Sequence, residues 1–436
     1  MIRIYDSGDI ETVMARLSRK AEADENVINT VRSVVRDVAD RGDEALFEYT
    51  KRFDGFALSA DNMRVTRQEI DNAYAVVSAD LLETLKTSAA HITAFHELQR
   101  REGFERRLNG AITGRIVRPM QRAGVYVPGG KAAYPSSVLM NIIPAKIAGV
   151  EQIIMVTPPG KTGVIEPLTL VAADVAGANL ILKIGGAQAV AALAYGTQSV
   201  PKADIITGPG NAYVAAAKRE VYGMVGIDMI AGPSEVLIVA DETASPAYVA
   251  ADFLSQAEHD EKAASILLTP SGELADRAAA EIERQLALLP RRDIAAQSLA
   301  DYGTIVVTTS LDEAFDIANR MAPEHLEILT ENPRDGLARV KNAGAVFLGA
   351  YSPEPLGDYF AGPNHVLPTS GTARFSSPLS VDAFMKMINY IEYDRQSLEA
   401  CYRDIDRFAR AEGLTAHARS AAIRFKDEPF EKEGTR

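Results

Sequence analysis

The 436-residue sequence holds a single cysteine, Cys401. That excludes an intramolecular disulfide framework and any cysteine-based zinc cage, so a bound metal would need nitrogen and oxygen ligands. Long apolar runs are missing as well. Stretches such as SSVLMNIIPAKIAG are broken by Pro, Lys or Glu well before the roughly 18 residues that mark a membrane helix. The N-terminus, MIRIYDSGDIETVM, carries acids throughout and no apolar leader core, so a cytoplasmic protein is expected. Nor is there an excess of positive charge: 46 Lys and Arg face 59 Asp and Glu, for a net charge of −13 with no basic stripe. This argues against nucleic acid or an anionic membrane as partner and for small molecules. With no low-complexity run or block of like charge, and 47% hydrophobic residues, the composition is that of a folded soluble protein.

What is present has a rhythm. The length suggests about two to four domains. Val27, Ile28, Val31, Val34, Val35 and Val38 recur at helical spacing, and residues 66–98 read as further helix opened by a capping box, Thr66 to Glu69. The N-terminal quarter is therefore expected to be mostly helical. From residue 123 short apolar strands alternate with Ala-rich helices, and a second such series begins at EVLIVAD. Two α/β halves follow from that alternation. Residues 349–378 are rich in Gly, Pro, Ser and Thr and read as a functional loop, and a helical tail of about 50 residues closes the chain.

Histidine is scarce, at six residues, and four of the six follow residue 250. Gln256 and His259 in LSQAEHDEKA are three apart, on one face if the segment is helical, extending the stripe of Val249 and Phe253. Taken alone they read as a buried amide and a capping histidine. RMAPEHLEIL puts Glu324 beside His325 as its helix gives way to a strand, GDYFAGPNHVLP holds Asp358 and His365, and AEGLTAH holds Glu412 and His417. Each pairs an acid with a base, although a solvated acid and a capping histidine would look the same. His91 and His96 lack such company and read as structural. Three glycine-rich turns, at GVYVPGG near Tyr126, KIGGAQA near Gln188 and ITGPGNAYV near Asn211, suit close backbone approach to a nucleotide or merely a tight turn.

The segments VPGGKAAYPSSVLMN, GGAQAVAALAYGT, GPGNAYV, AGPSEVLI, LSQAEH, APEHL, GDYFAGPNHVLPT and LTAH, in this order, resemble the histidinol dehydrogenase family over nearly the whole chain. That family oxidises L-histidinol to L-histidine in two steps with zinc and NAD. The resemblance implies an α/β fold of two incomplete Rossmann-like domains with a helical N-terminal arm and a small helical C-terminal tail domain. The divisions expected are an arm at 1–22, a discontinuous α/β domain of 23–122 and 235–378, an NAD-binding domain at 123–234 and the tail at 379–436. It further implies one zinc per subunit held by Gln256, His259, Asp358 and His417, with Glu324 and His325 catalytic. Tyr126, Gln188 and Asn211 match NAD-binding positions. Ser234, His365 and Glu412 match substrate contacts, alongside Gln256, His259, His325, Asp358 and His417. The family forms homodimers whose tails complete the partner's site.

The residue types suit such chemistry. A histidine with a pKa near ~6.5 can take a hydroxyl proton at neutral pH, a role that falls to His325. With Cys401 the only thiol, hydration of an aldehyde by water activated at Glu324 fits better than a covalent thiol route. Two other functions remain open: a related enzyme acting on a sulfonated diol, for which Arg or Lys would be expected near the metal, and a non-enzymic zinc and nucleotide binder, which would not need Glu324 beside His325.

Overall fold

The computed structural model describes residues 2–17, 25–129 and 134–425. They fall into two compact units, Met1–Arg100 with Pro119–Phe384, and Arg101–Arg118 with Met385–Arg436.

The first unit contains two parallel sheets. One has five strands in the order Leu180–Leu182, Gln152–Val156, Arg122–Tyr126, Ile205–Thr207, Gly226–Ile227. The chain enters at Arg122–Tyr126, in the middle, fills one side and then crosses to the other. Strand order thus reverses between Arg122–Tyr126 and Ile205–Thr207, and at such a reversal the loops leaving the carboxyl ends diverge and open a crevice. The strands are short and nearly all apolar because helices cover both faces.

The second sheet has six parallel strands in the order Arg3–Asp6, Thr304–Val307, Ala264–Thr269, Glu235–Ala240, His325–Leu329, Ala345–Leu348. From residue 235 onward it too starts centrally and reverses, here between Glu235–Ala240 and His325–Leu329. The N-terminal segment, helical over Ile10–Leu17, first supplies the edge strand Arg3–Asp6.

The expected valine stripe is present. Helix Glu25–Arg41 buries Val31, Val34, Val35 and Val38, each worth about 1.5–3 kcal/mol. They share a core with Ala187–Ala194. The resemblance groups 23–122 with 235–378, whereas this helix packs against Gly186–Tyr195 and Ala212–Val221, the helices that follow strands of the five-stranded sheet. The capping box also forms: Thr66 Oγ1 accepts from the Glu69 amide at 3.3 Å, and Glu69 Oε2 accepts from the Thr66 amide at 2.8 Å.

The second unit holds a three-stranded sheet, in the order Met385–Tyr393, Ala111–Pro119, Phe104–Leu108, and the helices Arg395–Ala411 and Thr415–Ala422. The expected helical tail begins at Arg395, after its cap residue Asp394, and the nine residues Met385–Tyr393 before that are a strand. Asn109 and Gly110, with φ of 51° and 81°, join the two antiparallel strands Phe104–Leu108 and Ala111–Pro119 in a tight hairpin turn whose two central residues both need positive φ.

Candidate active site

A single large cleft in the first unit collects residues from both sheets. Its first wall is the carboxyl edge of the five-stranded sheet, at the reversal. Tyr126 ends its strand there, buried, and its hydroxyl oxygen accepts from the Gly186 amide at 3.1 Å. Burial pushes its pKa up to about 12. Gln188 lies in the first turn of helix Gly186–Tyr195, where its Nε2 donates to Asp54 Oδ2 at 3.3 Å. Its Oε1 is buried with no hydrogen-bond partner among the described residues. Asn211 caps helix Ala212–Val221: its Oδ1 accepts from the Tyr213 and Val214 amides at 3.0 and 3.2 Å, leaving Nδ2 for a ligand. Gly130 of the first glycine-rich turn lies outside the described residues.

The second wall is the amino edge of the six-stranded sheet, not the carboxyl edge at which βα proteins ordinarily collect their ligands. Ser234 precedes strand Glu235–Ala240, and Glu324 precedes strand His325–Leu329, which His325 opens. The reason lies in the backbone of Glu235. Its N–H donates to Glu324 Oε2 at 2.9 Å, and its carbonyl accepts from His325 Nδ1 at 3.1 Å. That bond fixes the tautomer, because a carbonyl can only accept, and Nε2 is left with the lone pair.

Helix Pro246–Ala257 supplies Gln256 in its last turn, buried, with Oε1 lacking a hydrogen-bond partner among the described residues. His259 lies past the end of that helix but lines the same cleft as Gln256. It sits beyond the C-cap residue Glu258, exposed, with its amide donating to the Gln256 carbonyl at 3.2 Å. Asp358 rides on a short helix, Glu354–Tyr359, inside the expected loop, and its Oδ1 stands 3.3 Å from His365 Nδ1. All of these side chains line the same cleft. Glu412 and His417 belong to the second unit, where both are exposed, at the end of helix Arg395–Ala411 and in helix Thr415–Ala422.

The sequence model of the histidinol dehydrogenase family matches residues 17–425. The histidinol dehydrogenase of Heliobacterium mobile is 54% identical over 429 residues, covering 98% of this chain and 100% of its own. That of Caldanaerobacter subterraneus is also 54% identical, over 98% of this chain and 99% of its own. The crystal structure of histidinol dehydrogenase from Elizabethkingia anophelis superposes with a TM-score of 0.91 at 38% identity, covering 97% of this chain and 98% of that one. This chain belongs to the histidinol dehydrogenase family. It is an enzyme, of the dehydrogenase class.

In this family member the cleft contains a carboxylate that the sequence reading passed over. Glu354 is buried, its Oε1 is 3.7 Å from His325 Nε2, and its side chain is hydrogen-bonded to Asp358. Its amide donates to Glu327 Oε1 at 2.8 Å. The signal was the spacing in EPLGD, which sets Glu354 and Asp358 four apart on one helical face. Asp54, which holds Gln188, was missed too, having only the short segment RFDG to mark it.

Burial dominates the electrostatics. Desolvation lowers His325 to about 4, against the ~6.5 expected from an exposed imidazole. Desolvation, followed by the nearby charge of Asp358, raises Glu354 to about 9. For Asp358 burial alone would act upward, but His365, His325 and His259 outweigh it and hold the carboxyl at about 2. One donor atom each from His325, Glu354 and Asp358 lies within 4.8 Å of the others. A carboxylate, imidazole nitrogens and an orphaned amide oxygen make a donor set that a zinc ion fits. An unpaired buried carbonyl costs about 1–3 kcal/mol, which a cation at Gln256 would relieve.

Proposed function

We propose that the enzyme oxidises L-histidinol to L-histidine through L-histidinaldehyde, a four-electron conversion that consumes two NAD+ and forms the final step of histidine biosynthesis. The observation that carries this reading is the meeting, in one cleft, of two buried and orphaned amide oxygens, Gln188 Oε1 on the crevice of the five-stranded sheet and Gln256 Oε1 on the wall that also carries His325. One suits a donor on a bound dinucleotide, the other a metal.

Zinc, one per subunit, would be held by Gln256, His259 and Asp358 with His417 of a partner, and when bound would grip and orient the amine and imidazole of the substrate. NAD, lodged against Tyr126, Gln188 and Asn211, would accept the hydride. His325, neutral and with Nε2 turned away from Glu235, takes the hydroxyl proton as the hydride leaves. Glu324, held by the Glu235 amide, activates water to hydrate the aldehyde before the second hydride transfer. Cys401 sits in a helix of the second unit with its thiol on the carbonyls of Ser397 and Leu398, which suits it poorly to a covalent role. Ser234, His365 and Glu412 complete the substrate contacts.

Phe104, Ile391 and Phe408 of the second unit are 60%, 76% and 71% exposed, an apolar surface that favours burial in a homodimer whose tails share the sites. No described helix is long and apolar enough to cross a membrane. The test is to count NADH formed per L-histidinol consumed. Two supports the reading, and one, or none, rejects it.

A further inference from the structure

We propose that Lys218 and Asp228 are positioning residues for the cofactor site, a buried ion pair that fixes the turn Gly208–Asn211 in its binding conformation. The inference rests on the reading of this crevice as the NAD site.

Lys218 lies on helix Ala212–Val221 and Asp228 just beyond strand Gly226–Ile227. Their side chains are 3% and 0% exposed and pair with one another. Both also hold the same residue of the turn. Asp228 Oδ2 accepts from the Gly208 amide at 2.8 Å, and Lys218 Nζ donates to the Gly208 carbonyl at 3.0 Å. Gly208 follows strand Ile205–Thr207 with φ of +110°, and a Cβ there would stand 2.0 Å from the Tyr126 carbonyl oxygen. The turn is thus gripped by two charges and pressed against the strand that carries Tyr126. Three residues later Asn211 enters the cleft, whereas neither Lys218 nor Asp228 lines it. They act through the turn.

Stability alone gives little reason for charges here. Burying an ion pair costs several kcal/mol per ion, and apolar residues of similar volume often serve stability equally well. An apolar pair, however, cannot bond both the N–H and the carbonyl of one glycine, and without those bonds the peptide groups on either side of Gly208 are free to rotate. The specific product of the pair is the direction in which the turn leaves the sheet.

The experiment compares full-length, zinc-loaded wild type with Lys218→Met/Asp228→Leu and with Asp228→Asn, which keeps an acceptor for the Gly208 amide but removes the charge. NADH affinity is read by fluorescence titration, together with KM for NAD and for L-histidinol, zinc content and Tm. In the double variant NADH affinity should fall, and KM for NAD rise, about tenfold, while KM for L-histidinol and zinc content stay within about twofold. Asp228→Asn should give a smaller shift of the same selectivity, and it decides the matter if the double variant does not fold. Wild-type NADH affinity in the deciding variant overturns the proposal. So does a parallel rise of both KM values with a lowered Tm. A wild type that binds no NADH would instead remove the cofactor reading beneath it.

Discussion

The backbone of Glu235 holds His325 at both ends of its reach: its carbonyl accepts from Nδ1 at 3.1 Å, and its amide anchors Glu324, the chain neighbour of that histidine, at 2.9 Å. An acid and a base are thereby fixed to one residue of the central strand, through the peptide groups on either side of it. Replacing them should separate the two oxidations. His325→Asn should slow both by about 10²–10⁴-fold, whereas Glu324→Gln should slow mainly the second, since only the aldehyde needs hydration. Supplying L-histidinaldehyde directly isolates that step. Normal aldehyde oxidation by Glu324→Gln with failure on the alcohol would reverse the two roles.

The orphaned oxygen of Gln256 makes the metal testable without turnover. Isolated protein should contain about one zinc per subunit by elemental analysis, and a chelator should remove both metal and activity. His259→Asn should abolish zinc binding. Full activity in rigorously metal-free protein would sink the metal reading.

Burial of His325 also sets a pH dependence of stability. In the folded protein its pKa lies near about 4, below the unfolded value of ~6.5, so the unfolded chain takes up the proton first. Its contribution is complete above the unfolded pKa and is lost as pH falls towards the folded one. From about pH 7 to about pH 5 the loss is about 2 kcal/mol. In metal-free protein, urea unfolding at the two values should show His325→Asn losing less stability than wild type by about that amount. Equal losses would mean that the imidazole takes up its proton in the fold as readily as in the unfolded chain.

Where His417 acts can be settled by mixing inactive chains. A His259→Asn subunit keeps an intact tail and a His417→Asn subunit an intact core. If sites are shared across a two-fold axis, random pairing of equal amounts leaves one sound site in half the dimers, or about one quarter of wild-type activity. Verified hybrids without activity would place each site within one chain.

Much of this was legible in the sequence. The two α/β series, the valine stripe and the capping box all follow from periodicity and local hydrogen bonding, which a linear chain displays directly. Ten of the anticipated site residues converge on one cleft. What could not be read was that the backbone of one strand residue, Glu235, would hold both Glu324 and His325, because that contact joins segments about 90 residues apart. Gln256 and His259 do reach one cleft, although the helix stops between them. Asn109–Gly110 was different, since that pair is itself a strong hairpin signal and simply went unread.

The second unit is assembled from the two ends of a long interval. Strand Ala111–Pro119 pairs on one side with Phe104–Leu108, its immediate neighbour, but on the other with Met385–Tyr393, about 270 residues further on. At ribosomal rates of about 5–20 residues per second, the hairpin waits on the order of tens of seconds for its third strand. Throughout that time a row of backbone donors and acceptors lies open along Ala111–Pro119, a ready template for the wrong partner. For a nascent chain the hazard is therefore greatest not where the core is slow to pack but where an early strand must remain single-sided until synthesis is nearly complete.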